Sequence, residues 1–251
     1  MTDSRTLAYL NLHAILGSIP MLCALDADAS ALVRGHRIKL GISVSGGPAG
    51  TLAFSDGHCS FSETAVPADC DILLAFSTPE KFNGMIDGTV TPIPRKGLLK
   101  AGFLTGPFTR LTDRLSSYLR AEPDRLSDPV FRRTSTLLMF GLITRAVCCI
   151  GNEDPIGKSS ASYLTDGAVH IGAGDDIAAV IRIRNHRLSL ADHEIVTARM
   201  QFADLDTARA IFDGVKNAVA AVGDGDVRIG GMVSQVDNIN RMLDRVSLYL
   251  Q

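Results

Sequence analysis

LTDRLSSYL (residues 111–119) and MLDRVSLYL (residues 242–250) are two versions of one segment, and they decide how the rest of the chain is interpreted. Asp, Arg, Ser, Tyr and Leu occupy matching positions in both segments, 131 residues apart. A second pair, MIDG (85–88) and IFDG (211–214), lies upstream of them in the same order. A long internal repeat is the mark of a structural unit that occurs twice. We therefore predict two similar domains in this 251-residue chain.

The junction between the two domains is predicted in AEPDRLSDPV (121–130), where two prolines and alternating charges are typical of a linker. The first domain is expected at residues 1–122 and the second at residues 123–251. An apolar helix is expected to open each of them, LAYLNLHAILGSI (7–19) in the first and STLLMFGLITRAV (135–147) in the second.

The first domain has a strand pattern followed by a helix. RIKLGISV (37–44) alternates apolar and polar residues, which predicts a strand with one buried face. Asp56-Gly57 lies between two further apolar stretches and predicts a hairpin turn. DILLAF (71–76) predicts another strand, and Thr78-Pro79 after it is typical of a helix N-cap and first turn.

The second domain repeats this order. Ile181 and Ile183 mark a strand, Asn185-His186 the turn that follows it, and Asp204 the N-cap that matches Thr78. Each domain then ends in an amphipathic helix. The apolar positions of these closing helices are Phe108, Leu111, Leu115, Tyr118 and Leu119 in the first domain and Ile239, Met242, Val246, Tyr249 and Leu250 in the second. Both stripes must pack against an apolar surface.

Composition and charge exclude several classes of function. The net charge is −2, tryptophan is absent and aromatic residues make up 6% of the chain, so a basic nucleic-acid surface and a base-stacking platform are not expected. Five cysteines without a C-x-x-C spacing point to a reducing compartment, and we expect a cytoplasmic protein. Residues 6–25 contain no charged side chain, so the alternatives there are a membrane or export segment and a buried helix, and we favour the helix.

The sequence offers no catalytic arrangement. GNEDPIGKSS (151–160) resembles a P-loop, but Asn152 stands where the first glycine is required, and no strand is predicted before the segment. The histidines are scattered; His58 and His186 are expected at exposed turns, and a metal site at His193 is disfavoured because neighbouring residues of a strand point to opposite faces. Arg182 and Arg184 are interpreted as a solvated strand face, with anion binding as the alternative.

The order of these elements resembles the sterol carrier protein type 2 family. The resemblance lies in the Phe54, Asp56 and Gly57 hairpin, in DILLAF followed by STPEKFNGMIDG (77–88), and in KAGFLTG (100–106) before the apolar helix. The second copy has MQFADLDTARAIFDG (200–214) and RIGGMV (228–233) at these places. It departs from the pattern by having Leu205 and Ala208 in place of Pro79 and Phe82, which leaves open that one unit is only a structural partner.

The resemblance implies an α+β fold of two tandem units, each with a small, mostly antiparallel sheet of five strands covered by helices. In the first unit the fifth strand is expected to end at Gly102. The resemblance also implies a hydrophobic tunnel between sheet and helices. The residues predicted to line it are Phe82, Met85, Ile86, Phe103, Phe108, Leu111 and Leu115 in the first unit and Phe212, Met232, Met242 and Val246 in the second.

The primary hypothesis is a non-catalytic protein that binds, and transfers or stores, a lipid or fatty acyl ligand, with transient membrane contact and without cofactor or metal. The main alternative is an interaction or scaffold protein whose apolar helices dock a partner, with residues 6–25 as the docking element. A third interpretation is an enzyme that acts on acyl esters or thioesters through Cys or His. The sequence leaves open a monomeric pseudo-dimer and a homodimer.

Overall fold

The structure is a computed structural model that describes residues 2–250. The fold is α+β, as expected, with helices and two mixed sheets of four and five strands. The chain divides into two compact units, Met1–Leu138 (the first unit) and Met139–Gln251 (the second unit). This division falls within the long helix α7 (Pro129–Glu153).

The first unit contains four strands, with three α-helices before them in the chain and three after them. The strands are β1 (Arg37–Val44), β2 (Ala49–Ser55), β3 (His58–Ser62) and β4 (Ile72–Phe76). The helices are α1 (Ser4–Tyr9), α2 (Ile19–Leu25), α3 (Ala27–Leu32), α4 (Pro79–Ile86), α5 (Ala101–Phe103) and α6 (Thr109–Leu119). Single turns of π- or 3-10 helix lie at Leu10–Ile15, Leu16–Ser18, Leu98–Lys100, Leu104–Phe108 and Pro123–Ser127.

The sheet of the first unit has the order β3-β2-β1-β4, and its central strand β1 is parallel to β4 and antiparallel to β2. The predicted hairpin is confirmed: Asp56 and Gly57 both have positive φ, as a type I′ turn requires. The predicted N-cap is also confirmed, because the Thr78 side chain accepts a hydrogen bond from the Lys81 N–H. Ile38, Leu40 and Ile42 of β1 are buried, as their alternation predicts.

The prediction of a fifth strand ending at Gly102 is wrong. Residues 98–108 are helical. Before them, the chain pairs with β4 through one isolated bridge, between Leu73 and Lys96. Pro92 and Pro94 lie in the segment that would have to pair with β4, and a proline has no N–H to donate to a strand ladder. The first sheet therefore stops at four strands.

The second unit contains all five strands. They are β5 (Gly167–Ala173), β6 (Ile177–Arg184), β7 (Arg187–Ala191), β8 (Ala198–Phe202) and β9 (Val227–Gly231), in the order β7-β6-β5-β8-β9. The helices are α7 (Pro129–Glu153), α8 (Pro155–Ser162), α9 (Leu205–Phe212), α10 (Ala218–Asp224) and α11 (Val233–Tyr249). The predicted strand that contains Gly231 is thus confirmed as β9. The order β7-β6-β5-β8 in this sheet corresponds to the order β3-β2-β1-β4 in the first unit.

Local signals of the second unit are also confirmed. Asn185 and His186 both have positive φ in the turn between β6 and β7. Asp204 caps α9 by accepting a hydrogen bond from the Thr207 N–H at 2.7 Å. The central strand β5 is parallel to β8, with Val169 opposite Ala198 and Ile171 opposite Met200. This is the pairing that β1 and β4 make in the first unit.

A buried aspartate anchors the closing helix of the first unit. Asp26, which is 6% exposed, caps α3 by accepting hydrogen bonds from the N–H groups of Asp28 and Ala29. The same carboxylate accepts from Arg114 Nε at 2.6 Å and from the Tyr118 hydroxyl at 2.7 Å. We call Asp26, Arg114 and Tyr118 the Asp26 cluster. It links α3 to two positions one turn apart on α6.

The second unit has an equivalent Asp154 cluster, formed by Asp154, Arg245 and Tyr249. Asp154 is fully buried and caps α8 through the N–H groups of Ile156 and Gly157. Arg245 Nη2 donates to it at 2.8 Å and the Tyr249 hydroxyl at 2.7 Å. The Arg and Tyr of the sequence repeat are therefore the residues that bind a buried carboxylate in each unit.

Two helical segments are long and apolar enough to span a membrane by length and composition, Ser4–Leu25 and Pro129–Glu153. Most of each lies inside the folded protein, 61% of the most apolar stretch of the first and 72% of that of the second. Core helices of soluble proteins meet the same criteria, so this is weak evidence for a membrane span. It agrees with the buried helix that we favoured for residues 6–25.

The Asp154 cluster is expected to dominate the stability of its unit. Asp154→Asn should lower the free energy of unfolding by about 3–5 kcal/mol, because it leaves a guanidinium without its buried counter-charge. Tyr249→Phe should cost about 1.5–3 kcal/mol, since it removes one hydrogen bond to a charged group. Asp237→Asn is the control, because the Asp237–Arg241 pair on the same helix is exposed and should contribute below about 0.5 kcal/mol. Equal losses in denaturant unfolding for Asp154→Asn and Asp237→Asn would contradict this assignment.

Acid should unfold the protein through these carboxyls. Burial alone would raise the pKa of Asp26 and Asp154, but the hydrogen bonds from Arg and Tyr outweigh it and the pKa of each lies below its usual value. A lowered folded-state pKa gives stability that is present above the unfolded pKa of about 3.9 and is lost as the pH falls through the folded pKa. The free energy of unfolding, measured with denaturant at pH 3 to 7, should fall below about pH 4. It should fall less steeply with pH in Asp154→Asn than in the wild type. An unchanged slope in that variant would exclude Asp154 as a source.

Candidate functional site

A small apolar cavity lies between the sheet and the helices of the second unit. Its volume is about 20 Å³. The lining consists of Phe140, Ile143, Thr144 and Val147 of α7, Ile171 of β5, Met200 and Phe202 of β8, Phe212 of α9 and Leu243 of α11. The Thr144 hydroxyl is turned to its own helix, where it donates to the carbonyls of Phe140 or Gly141. The side chains that line the cavity therefore present apolar groups to its interior.

The cavity reaches toward the surface at three side chains. Ile143, Phe212 and Leu243 are partly exposed, whereas Val147 and Ile171 at the sheet side are buried. The Phe212 ring lies 5.9 Å from Phe202 and 6.4 Å from Phe140, measured between ring centroids. Phe212, Ile143 and Leu243 thus separate the cavity from the outside.

The two units place different residues against the ends of the equivalent strands β4 and β8. At the place of Ala208 in α9 the first unit has Phe82 in α4, as the spacing of the two DG motifs indicates. Phe82 is fully buried and its ring packs on Phe76 at 5.3 Å. In the second unit an alanine stands at that position, and Phe212 from the end of α9 packs on Phe202 instead. The phenylalanine that covers the last strand residue therefore comes from a different position of the helix in each unit.

The residues predicted to line a tunnel in the first unit form a packed cluster. Phe82, Phe103, Phe108, Leu111 and Leu115 are buried in one apolar core, and Met85 and Ile86 pack against it while partly exposed. Phe103 lies 5.2 Å from Phe54 and 6.3 Å from Phe108 between ring centroids. These side chains lie together between the sheet and the helices and pack against one another in one core.

The four residues predicted in the second unit lie in different surroundings. Phe212 lines the cavity, and Met242 and Val246 are buried on the same helix as Leu243. Met232 is 39% exposed and precedes α11, so it does not join them. The residues of α7 and β8 that line the cavity were not among those predicted. The sequence predicted the apolar helix 135–147 but did not assign it to a site.

Other groups singled out in the sequence have structural partners. Arg182 and Arg184 both lie 3.5 Å from the carboxylate of Glu194. His186 Nδ1 is 3.1 Å from the Leu164 carbonyl oxygen in its turn. Among residues 2–250, no group of three or more His, Cys, Asp or Glu side chains is placed to hold a metal ion.

The cysteines near the first sheet are not activated as nucleophiles. Burial, with a smaller contribution from Asp26, raises the pKa of the Cys23 thiol to about 11. Burial likewise raises the pKa of Cys59. Both therefore remain thiols near neutral pH, and the thiol is a poor nucleophile compared with the thiolate.

The segment that resembles a P-loop has a different role. Its Asp154 caps α8, its Pro155 takes the first position of that helix, and the helix α7 precedes it where a P-loop needs a strand. The prediction that a helix and not a strand precedes this segment is confirmed. The carboxylate of Asp154 holds Arg245 and Tyr249, as described above.

No protein-family model matches this chain. A search among curated proteins also finds no match. Among solved structures, the UbiJ-SCP2 ubiquinone synthesis protein is similar to 46% of this chain and to 98% of its own, with a TM-score of 0.33 and 11% sequence identity. A similarity at this level does not establish a shared fold or function. The tandem of two sterol-carrier-like domains therefore stays a prediction.

Proposed function

We propose that the second unit binds an elongated apolar molecule, such as a fatty acyl chain, between its sheet and the helices α7, α9 and α11. The observation that supports this is the apolar cavity beneath β5 and β8, of whose lining residues Phe212 was among those predicted. At about 20 Å³ the cavity has room for roughly one water molecule, so a longer ligand must displace partly exposed lining side chains such as Phe212 outward. The proposed protein is a non-catalytic carrier.

The energetics favour an apolar ligand over a polar one at this place. Each methylene group transferred from water contributes roughly 0.8 kcal/mol. A chain of about ten methylene groups therefore gains several kcal/mol, even after moving a phenylalanine and ordering its own torsions. A polar ligand would find no hydrogen-bonding side chain among Phe140, Val147, Ile171 and Met200.

A second proposal concerns contact with a membrane surface. In the first unit, Ile93, Leu98 and Leu99 are 80%, 68% and 104% exposed, within a short segment at the open edge of β4. Arg95, Lys96 and Lys100 are exposed in the same segment. Aliphatic side chains next to cations suit an anionic bilayer surface, because both classes gain from it. We propose that residues 89–100 contact such a surface while a lipid is exchanged.

Native mass spectrometry of the purified full chain, followed by organic extraction, is expected to show a bound lipid or to allow loading with a fluorescent fatty acid. Val147→Phe should lower the affinity for that fatty acid about tenfold, because the added ring occupies the cavity and excludes the chain. Val222→Phe, on the exposed face of α10, is the control and should bind as the wild type does. Circular dichroism verifies that each variant is folded. Absence of any fatty acid binding by the wild type, or equal binding by folded Val147→Phe, would contradict the proposal.

The membrane proposal is tested with vesicles. The chain should cosediment with vesicles that contain phosphatidylserine and much less with phosphatidylcholine vesicles. Replacing Leu98 and Leu99 together by Ser should reduce the bound fraction severalfold, because two exposed leucines no longer enter the bilayer. Val219→Ser, an exposed aliphatic residue of the second unit, is the matched control. Unchanged cosedimentation of the double variant would exclude this segment as the contact.

A further inference from the structure

The outer face of the second sheet, on the side opposite its buried apolar residues, carries a large open cleft. Its volume is about 770 Å³. In β5 the residues Val169, Ile171 and Ala173 are buried on the inner face, so His170 and Gly172 between them lie on the outer face. The cleft is lined by His170, Gly174, Asp175, Asp176, Ile177, Ala178, Gln201, Phe202, Ala203, Gly225 and Arg228.

The register of the strands brings three cationic or titratable side chains together at this face. His170 of β5 lies directly opposite Arg199 of β8 in the parallel pair. The backbones of two neighbouring strands are about 4.8 Å apart. Arg199 lies opposite Gly230 of β9, which puts it on a diagonal of about 7–8 Å from Arg228. Arginine side chains are long enough to meet across such distances. One small group bound between them can therefore touch all three.

These three side chains lack partners of their own. Arg199 and Arg228 are exposed, and neither side chain makes a hydrogen bond or an ion pair with any residue in the range 2–250. The two arginines of β6 on the same sheet face differ, because Glu194 pairs with both. The His170 Nδ1 atom is buried and finds no hydrogen-bond partner within the same range. A buried polar atom without a partner is uncommon in folded proteins and calls for a ligand or water.

The equivalent face of the first unit is covered. Gly41 of β1 takes the place of His170, as the matching registers of β1 with β4 and of β5 with β8 show. Val66 packs directly over Gly41, with Cys70 beside it, from the segment 63–71 that joins β3 to β4. The corresponding segment of the second unit, 192–197, is shorter. The second sheet therefore presents a titratable side chain and an open face where the first presents a glycine and a cover.

The anionic and cationic side chains lie at different ends of the cleft. Asp175 and Asp176 line it at the turn between β5 and β6, whereas Arg228 lies on β9, two strands from β5. Arg199 does not line the cleft but lies next to it on the same face of β8, so the positive charge is confined to the β8 and β9 side. Burial, and secondly the Arg199 guanidinium, lowers the pKa of His170, so the ring is neutral near neutral pH and can donate one hydrogen bond without repelling the guanidinium groups.

We infer that this cleft binds the oxyanion group, phosphate or carboxylate, of a small molecule between His170 and Arg228 of its lining, with Arg199, which lies opposite His170 on the same face, as the third donor. Guanidinium groups suit this role because their planar donors match the oxygen atoms of both anions. The inference is independent of lipid binding in the cavity, since the cleft is on the opposite face of the sheet. The group can belong to a soluble organic acid or phosphate ester or to an anionic lipid headgroup.

Calorimetric titration of the full chain with inorganic phosphate, glycerol phosphate and citrate tests the inference. At least one of these anions should bind saturably, and Arg199→Met and Arg228→Met should each weaken it about tenfold. Arg187→Met is the matched control, because it removes the same charge from an exposed position of β7 in the same sheet. Asp175→Asn should bind the anion as well as the wild type or better, since it removes a negative charge from the cleft.

Vesicles containing phosphatidic acid distinguish the two sources of the anion. Competition by soluble glycerol phosphate, with binding lost in Arg199→Met, identifies a free small molecule. Binding to vesicles alone, also lost in Arg199→Met, identifies a lipid headgroup. The inference is overturned if no anion and no vesicle binds, or if Arg199→Met and Arg187→Met weaken binding equally, because the latter outcome is general charge attraction. The NMR signals of the His170 ring should shift on binding, whereas those of the exposed His58 in the first unit should not.

Discussion

A buried carboxylate that receives an arginine and a tyrosine from one helix is the interaction on which each unit depends. Asp154 is fully buried, and a charge in such a place is tolerated only when its partners satisfy it. Arg245 and Tyr249 do so from one face of α11, and two N–H groups of α8 complete the set. The same arrangement around Asp26 holds α6. The positions of both closing helices follow from these contacts, because a helix held at two points one turn apart can neither slide nor rotate.

The orientation of the closing helix decides what lies beneath the sheet. With Arg245 and Tyr249 fixed on Asp154, the side chains of Met242 and Val246 must point into the core of the second unit. In the first unit the equivalent helix places Leu111 and Leu115 under the sheet, where Phe82 and Phe103 fill the rest. The anchor is thus the same in both units, and the packing beneath it differs. Phe212 takes the place on Phe202 that Phe82 has on Phe76, and the cavity of the second unit lies beside it.

The strands, turns and helix caps could be predicted from the sequence because their signals are local. Alternation marked β1, and the positive φ values of the turns at Asp56-Gly57 and Asn185-His186 follow from residue types that tolerate them. The fifth strand of the first unit was predicted from resemblance, and Pro92 and Pro94 overrode it. The Asp154 cluster joins residues 91 positions apart in the chain. The repeat marked Arg245 and Tyr249 as important, but no local pattern points from them to Asp154.

The open cleft of the second unit could not be predicted for a related reason. Whether His170 is covered depends on the length and path of a segment that is distant in sequence, and alternation along β5 gives only the face on which the histidine lies. The two units show that the face of the central strands can be closed by a segment such as 63–71 or left open when that segment is short. Such a change affects neither the buried aspartate nor the strand register, since both lie elsewhere. The constraint that fixes the fold is therefore separate from the surfaces that can acquire a function, and the second unit differs from the first on both faces of its sheet while keeping the same anchor.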